Sequence, residues 1–223
     1  MENSENSDMR PMKSLGSAVG AIFISPNLAT GVQAGTAHSS NGSLAIRPES
    51  TQALSAAIAT ADTKAVDRLV AELLPPSLGS SNQRPIDRPM MAEVDGKWEF
   101  EGVMVERIDL RPDRPADDVR QALALLEFAC QPAEHNRLVG ALGELALVTK
   151  ARADQGDDAM ARIGILAREL SEFPADVAIA ACRRRARGYQ FFPSLMELRM
   201  TCQIIGSRRV AMLKAVRKAA EAV

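Results

Sequence analysis

Apolar residues recur every three or four positions through the C-terminal half of the chain, a spacing typical of amphipathic helices. Proline, glycine and a polar turn at 154–158 divide this pattern into five helices with short connections. Amphipathic helices bury their apolar stripes by packing on one another. The pattern therefore predicts a mainly α fold, with a helical bundle over residues 114–223. The stripe of the first predicted helix consists of Val119, Ala122, Leu123, Leu126 and Cys130.

The first 76 residues divide into two segments. Residues 1–48 are rich in Ser, Asn, Gly, Ala and Thr and have no sustained helical or strand period. Such a segment buries too little apolar surface to offset its ordering entropy, so we expect it to be disordered. Residues 49–76 again have apolar positions at helical spacing, with a break at Asp62-Thr63 and a stop at Pro75-Pro76. This second segment is predicted to be helical.

Residues 77–113 are predicted to be a linker that contains a small β-hairpin. The stretch 77–93 has the Ser, Gly, Asn and Pro content of a connection. Asp95-Gly96 then supplies the positive φ angles of a two-residue turn, which predicts short strands on either side of it. An isolated hairpin is only marginally stable. We therefore expect Trp98 to anchor this hairpin on a helix.

Composition narrows the class of protein and its compartment. Aromatic residues make up only 4% of the chain, which argues against an all-β fold. The three cysteines lie in apolar stretches without metal-ligand spacing, so we expect buried free thiols in a reducing compartment. Residues 14–25 follow basic residues as in a secretory signal, but glycines interrupt this short run. Since no apolar run is long enough to span a bilayer, we expect a cytoplasmic protein without a membrane partner.

Candidate catalytic residues are sparse. The chain has two histidines, His38 and His135, and neither lies in a pattern that supplies the partner a general base needs. The motifs of phosphate-binding loops, serine hydrolases and zinc proteases are absent from the sequence. The acidic run 154–158 lacks the residue order of a calcium loop. We expect no enzyme activity, no cofactor and no metal site.

Charge is distributed unevenly along the chain. Residues 1–113 carry a net charge of −5 and residues 114–173 carry −3, whereas residues 174–223 contain 10 Lys or Arg and 3 Asp or Glu and carry +7. Guanidinium groups bind phosphates or acidic surfaces, and tyrosine stacks on bases. The helix dipole also favours cations at a helix C-terminus, an alternative that needs no ligand. The predicted site for nucleic acid or an acidic partner consists of Arg183, Arg184, Arg185, Arg187, Tyr189, Arg208, Arg209, Lys214, Arg217 and Lys218.

Two Phe-Pro pairs, Phe173-Pro174 and Phe192-Pro193, each precede a predicted helix, and Glu197 follows the second pair. Together with the helices of residues 117–216, these motifs resemble the phage replicative-helicase loader/inhibitor family and related prophage replication proteins. The resemblance implies a non-enzymatic adaptor that binds the replicative helicase and helps to deliver it to origin DNA. Phe-Pro before a helix also has a purely structural use. The alternative is a small helical DNA-binding or regulatory protein without a helicase partner.

Overall fold

The computed structural model describes residues 48–94, 97–151 and 159–222. Every described residue belongs to one compact unit of the chain. The segment predicted to be disordered lies outside the described residues except for its last position, Pro48. The hairpin turn at Asp95-Gly96 and the acidic turn at 154–158 also lie outside them.

The described residues form seven α-helices and one two-stranded antiparallel sheet, which confirms the predicted mainly α fold. Two short 3-10 turns, Pro76–Leu78 and Ser80–Asn82, lead into the first strand. The elements in chain order are α1 (Pro48–Thr60), α2 (Thr63–Leu73), β1 (Gln83–Val94), β2 (Lys97–Leu110), α3 (Ala116–Ala129), α4 (His135–Val148), α5 (Ala159–Leu170), α6 (Ala175–Gly188) and α7 (Leu195–Ala220).

The turn between α1 and α2 lies where the sequence predicts a break. Ala61 has a φ of 56°, in the left-handed region, and reverses the chain. Asp62 then caps α2, because its side chain accepts a hydrogen bond from the backbone N–H of Ala65 at 3.0 Å. The two helices pack against each other as a helical pair.

The core consists of two clusters that α7 joins. Buried residues of α4, α5, α6 and the first half of α7 form one cluster. Buried residues of α1, α2, α3 and the second half of α7 form the other, together with Ile108 of β2. α7 continues without interruption through Gly206 and Ser207. A Cβ at Gly206 would lie 3.0 Å from the Val177 methyls, so the glycine permits close approach of α6.

β1 and β2 form a longer hairpin than the sequence predicts, paired from Gln83–Leu110 to Val94–Lys97. β2 lies along α7, and the Val105 N–H donates a hydrogen bond to Ser207 Oγ at 2.9 Å. This contact uses one edge of the hairpin. The buried side chain of Ile108 attaches the inner end of β2 to the core.

Two expectations for residues 77–113 are corrected. Residues 83–93 belong to β1 and not to a linker, and Pro85 and Pro89 fit because β1 is an edge strand. The expectation that Trp98 anchors the hairpin is wrong, because 69% of its surface is exposed. The buried side chain of Ile108, at the opposite end of β2, attaches the hairpin to the core instead.

Candidate nucleic-acid interface

Four of the predicted binding residues lie in the last six positions of α6. Successive residues of an α-helix are rotated by about 100°, so four arginines this close together spread around the axis. Arg185 points into the core and is only 2% exposed. Arg183, Arg184 and Arg187 are exposed. The helix therefore separates one structural arginine from three surface arginines.

Arg185 is a correction to the predicted site, because its guanidinium group is satisfied within the protein. Its Nε donates to Thr201 Oγ1 at 2.8 Å and its Nη2 donates to the Glu197 carbonyl at 3.2 Å. Its Nη1 lies 3.7 Å from Glu101 Oε1. Burying a guanidinium is costly unless such partners surround it, so Arg185 holds α6 to α7 and is inaccessible to a phosphate.

Tyr189 belongs to the same internal network. Its ring lies 4.1 Å from the Arg185 guanidinium carbon, and its hydroxyl donates to Glu101 Oε1 at 2.7 Å. Burial, with the hydrogen bond to Glu101, raises the pKa of this phenol above its ordinary value. Because one ring face and the hydroxyl are engaged, Tyr189 fastens β2 to α6, and its role in base stacking stays a prediction. Glu101, whose side chain is 8% exposed, is the partner that the sequence did not reveal.

Arg209 is the second structural arginine among the predicted binding residues. It makes a two-pronged pair with Asp176, with both N–O distances 2.9 Å, and it also donates to Asp67 at 2.7 and 3.0 Å. Its Nη1 donates to the Ala129 carbonyl at 3.0 Å. These bonds join α2, α3, α6 and α7, so Arg209 is a structural residue and not a ligand-binding one.

The carboxylates of Asp176 and Asp67 determine the direction in which the pKa of Arg209 is shifted. Burial by itself lowers the pKa of Arg209, but the hydrogen bonds and charge of Asp176 and Asp67 outweigh it and raise that pKa. For Asp67, burial raises the pKa despite the opposing effect of Arg209. Asp67 and Asp176 are distant from Arg209 in the chain, so no local sequence pattern identifies them as its partners.

The three exposed arginines form what we call the α6 basic cluster: Arg183, Arg184 and Arg187. They line one open groove beside the turn between α1 and α2. Arg183 Nη1 donates to the Thr60 carbonyl at 2.7 Å, and Arg184 Nη2 donates to the Glu101 carbonyl at 3.1 Å. Arg184 also lies 3.9 Å from the Glu101 carboxylate. Within the part of the chain that the structure describes, Arg183 and Arg187 make no ion pair, so most of the charge of the cluster faces solvent.

The basic residues of α7 do not form a comparable surface. Arg208 donates to Gln83 Oε1 at 3.1 Å, and Arg217 pairs with Glu127 at 3.0 Å. Nine residues apart on a helix, these two arginines lie on opposite sides of it. Lys214 and Lys218 are exposed. Lys214, Arg217 and Lys218 share one side of α7, where Arg217 is paired with Glu127, whereas the structure brings the α6 arginines together in one groove.

The Phe-Pro pairs serve to start helices. Phe173 packs partly buried against the first core cluster, and Pro174 precedes α6, whose first N–H, that of Ala175, donates to the Gln131 carbonyl at 2.9 Å. Phe192 is 6% exposed, and its N–H donates to the Lys150 carbonyl at 2.8 Å. Each pair thus joins a helix start to a preceding loop.

Ser194 and Glu197 form a capping box at the start of α7. The Ser194 side chain accepts a hydrogen bond from the Glu197 N–H at 3.3 Å, while Glu197 accepts from the Ser194 N–H at 2.6 Å. The buried Pro193 lies just before this cap. Ser followed three residues later by Glu is the sequence signal for this box, so the role of Glu197 was recognisable before the structure.

Other candidate chemistry in the described residues is limited. Cys182 and Cys202 are buried free thiols as predicted, and Cys130 is half-buried. Burial raises the pKa of Cys130 to about 11 and of Cys182 to about 12, and it raises that of Cys202 as well, so all three are poor nucleophiles at neutral pH. Over the described ranges, no three His, Cys, Asp or Glu side chains are grouped so that they could hold a metal ion.

None of the helices over 48–151 and 159–222 has the length and apolar character needed to cross a membrane. Comparison of the chain with protein-family models, with curated proteins and with solved structures gave no match. A functional assignment must therefore come from the residues and surfaces of this chain.

Proposed function

We propose that this protein is a non-enzymatic helical adaptor of DNA replication, which binds a replicative helicase and contacts DNA through the α6 basic cluster. The observation that most directly supports the DNA contact is the group of three exposed arginines in the groove beside α1 and α2. Arginine forks match phosphate oxygens in geometry as well as charge.

The cluster lies on a rigid support. Arg185 and Arg209 tie α6 to α7, α2 and α3 by buried and partly buried hydrogen bonds, and the buried residues of α6 belong to the first core cluster. The hydrogen bonds of Arg183 and Arg184 to carbonyl oxygens further orient their side chains. Such preorganisation lowers the entropy that a phosphate ligand would have to overcome.

The helicase partner is proposed from the resemblance described above. The two Phe-Pro motifs precede α6 and α7, so α6, one of the helices that the resemblance covers, also contains the basic cluster. An adaptor of this kind needs one surface for the helicase and another for DNA.

The alternative is a small DNA-binding or regulatory protein without a helicase partner. One observation favours it: Phe173 and Phe192 both pack in the core, so the motifs behind the resemblance have a complete structural explanation. Both functions require the α6 basic cluster to bind DNA.

The DNA contact is tested by fluorescence anisotropy of the full chain with labelled DNA over a range of salt concentrations. Replacing Arg183 and Arg187 together by Ala should weaken binding and reduce the slope of log K against log salt by about 1.4 for single-stranded DNA or about 1.8 for duplex. The control replaces Arg120 and Arg168, two exposed arginines on α3 and α5, by Ala. An unchanged slope in the first variant would remove the DNA role.

The helicase contact is tested separately by co-elution of the full chain with the purified replicative helicase of its host. The adaptor function predicts a stable complex on size-exclusion chromatography. DNA binding without co-elution would instead support the alternative.

A further inference from the structure

One face of β2 runs from the core to the solvent. Residues that pair with alternate positions of β1 share a face of the hairpin. Along this face the exposed fraction rises from 3% at Ile108 to 46% at Val103, 62% at Phe100 and 69% at Trp98. The apolar surface that attaches the hairpin to the core therefore continues past the core as an exposed aromatic end. The pairs that define the face are Pro85–Ile108, Asp87–Val105, Pro89–Val103, Met91–Phe100 and Glu93–Trp98.

This aromatic end adjoins the α6 basic cluster. Phe100 directly precedes Glu101, whose carbonyl accepts the hydrogen bond from Arg184 and whose carboxylate accepts that from Tyr189. At about 3.3 Å per residue, Trp98 lies about 10 Å along the strand from Glu101. Arg184 therefore meets the edge of β2 at the residue next to Phe100, so the phosphate-binding cluster and the exposed aromatic residues lie close together along one strand.

We propose that Trp98 and Phe100 stack on bases of single-stranded DNA whose phosphates lie on the α6 basic cluster, an inference that rests on the DNA contact proposed above. Two side chains two residues apart on a strand are about 6.6–7 Å apart, so their rings offer successive stacking platforms. Aromatic platforms beside a positively charged groove are the usual means of binding single strands, because every base has a flat face to stack.

Two of the acidic residues near the rings are compatible with this ligand. Glu101 is already paired with Tyr189, Arg184 and Arg185. Glu99 alternates with Trp98 and Phe100 along β2, so it lies on the opposite face.

The exposed area of the aromatic face is small for a protein partner. Trp98, Phe100, Val103 and Met91, which are 69%, 62%, 46% and 43% exposed, together offer on the order of 500 Å² of side-chain surface. A stable protein interface needs about 800 Å² from each partner. The aromatic end fits stacked bases better than a globular surface.

Trp98 is the only tryptophan in the chain, so its fluorescence reports directly on this face. Titration of the full chain with a short oligothymidine should quench the emission, with the same Kd as that measured by anisotropy. A duplex of equal length should quench it much less, because its bases are already stacked.

Variants separate stacking from phosphate contact. Phe100→Ala and Trp98→Ala should each weaken single-strand binding by about 5- to 150-fold in the anisotropy assay, whereas Trp98→Phe should retain most of the affinity. The matched control is Ile86→Ala, an exposed apolar residue of β1 that pairs with Arg107 on the other face of the hairpin. Circular dichroism checks the fold of each variant, and Trp98→Phe tests the ring itself if Trp98→Ala does not fold.

Three outcomes would overturn the inference. Binding by anisotropy without quenching would show that bases do not reach Trp98, while leaving the phosphate contact of the proposed function intact. A shift of Trp98 emission with purified helicase, but none with the oligonucleotide, would make the face a protein-docking surface. A shift that depends on protein concentration alone would assign the face to a second copy of the chain.

Discussion

Arg209 and Arg187 belong to the same basic C-terminal segment, yet the protein uses them in opposite ways. Arg209 is buried between two carboxylates and joins four helices. Arg187 is exposed at the end of α6 and makes no ion pair with a described residue. A high density of positive charge in a sequence therefore mixes structural and surface residues, and only the second kind is available to a ligand.

The largest effect is expected from breaking the buried pair. Asp176→Ala leaves Arg209 with one fewer carboxylate in the core and should lower the free energy of unfolding by about 3–5 kcal/mol, measured by urea denaturation. The control is Asp117→Ala, an exposed first-turn aspartate on α3, for which we expect a change below about 1 kcal/mol. Equal effects of the two variants would contradict a structural role for the Arg209 pair.

The second largest effect on stability is expected from weakening the contacts that hold β2 to α6. Glu101→Gln weakens the contacts with Arg185 and Tyr189 and should lower the free energy of unfolding by about 1–3 kcal/mol. Glu99→Gln, which changes an exposed neighbour on β2, should stay within about 0.5 kcal/mol. If the two variants have the same stability, the network around Glu101 does not hold β2 to α6.

The buried thiols should make the core sensitive to alkali. The folded-state pKa of Cys182 is about 12, above the ordinary value of 9.0, so the folded state keeps the thiol protonated while the unfolded state loses the proton. The contribution of the Cys182 thiol to the free energy of unfolding is constant below pH 9. Above pH 9 it falls by about 1.4 kcal/mol per pH unit, up to pH 12. The loss of unfolding free energy between pH 8 and pH 10, measured by urea denaturation, should therefore be smaller for Cys182→Ala than for the unaltered chain. An equal loss would contradict the raised pKa of Cys182.

The smallest effect on stability is expected at the surface. Arg187→Ala and Arg217→Ala should each change the free energy of unfolding by less than about 1 kcal/mol, because an exposed ion pair or a free cation contributes little. Of the two, only Arg187→Ala should weaken DNA binding. A matching loss with Arg217→Ala would mean that the DNA surface extends along α7.

Much of the fold was predictable from local patterns. Helical spacing located α3 to α7, Asp62 marked the turn after α1, and Asp95-Gly96 predicted the hairpin. The length of the hairpin was not predictable, because the prolines in β1 are typical of a loop. They are tolerated because, among the described residues, no third strand pairs with β1.

The candidate site was predictable only in part. The sequence placed the arginines correctly at the end of α6, but it did not distinguish Arg185 from its neighbours. That distinction depends on Thr201 and Glu101, which come from α7 and β2. The exposed position of Trp98 likewise follows from where the hairpin leaves the core, which no local pattern specifies.

The sequence by itself determined which segments are helical, where most of them begin and end, and how unevenly charge is distributed. These properties depend on residues within a few positions of one another, through helical period, capping and turn chemistry. Only the tertiary structure decided which cations are buried and which face solvent, because the partner carboxylates and carbonyls lie far away in the chain. Burial and pairing of charge are long-range properties, since desolvation depends on every element that packs around the group.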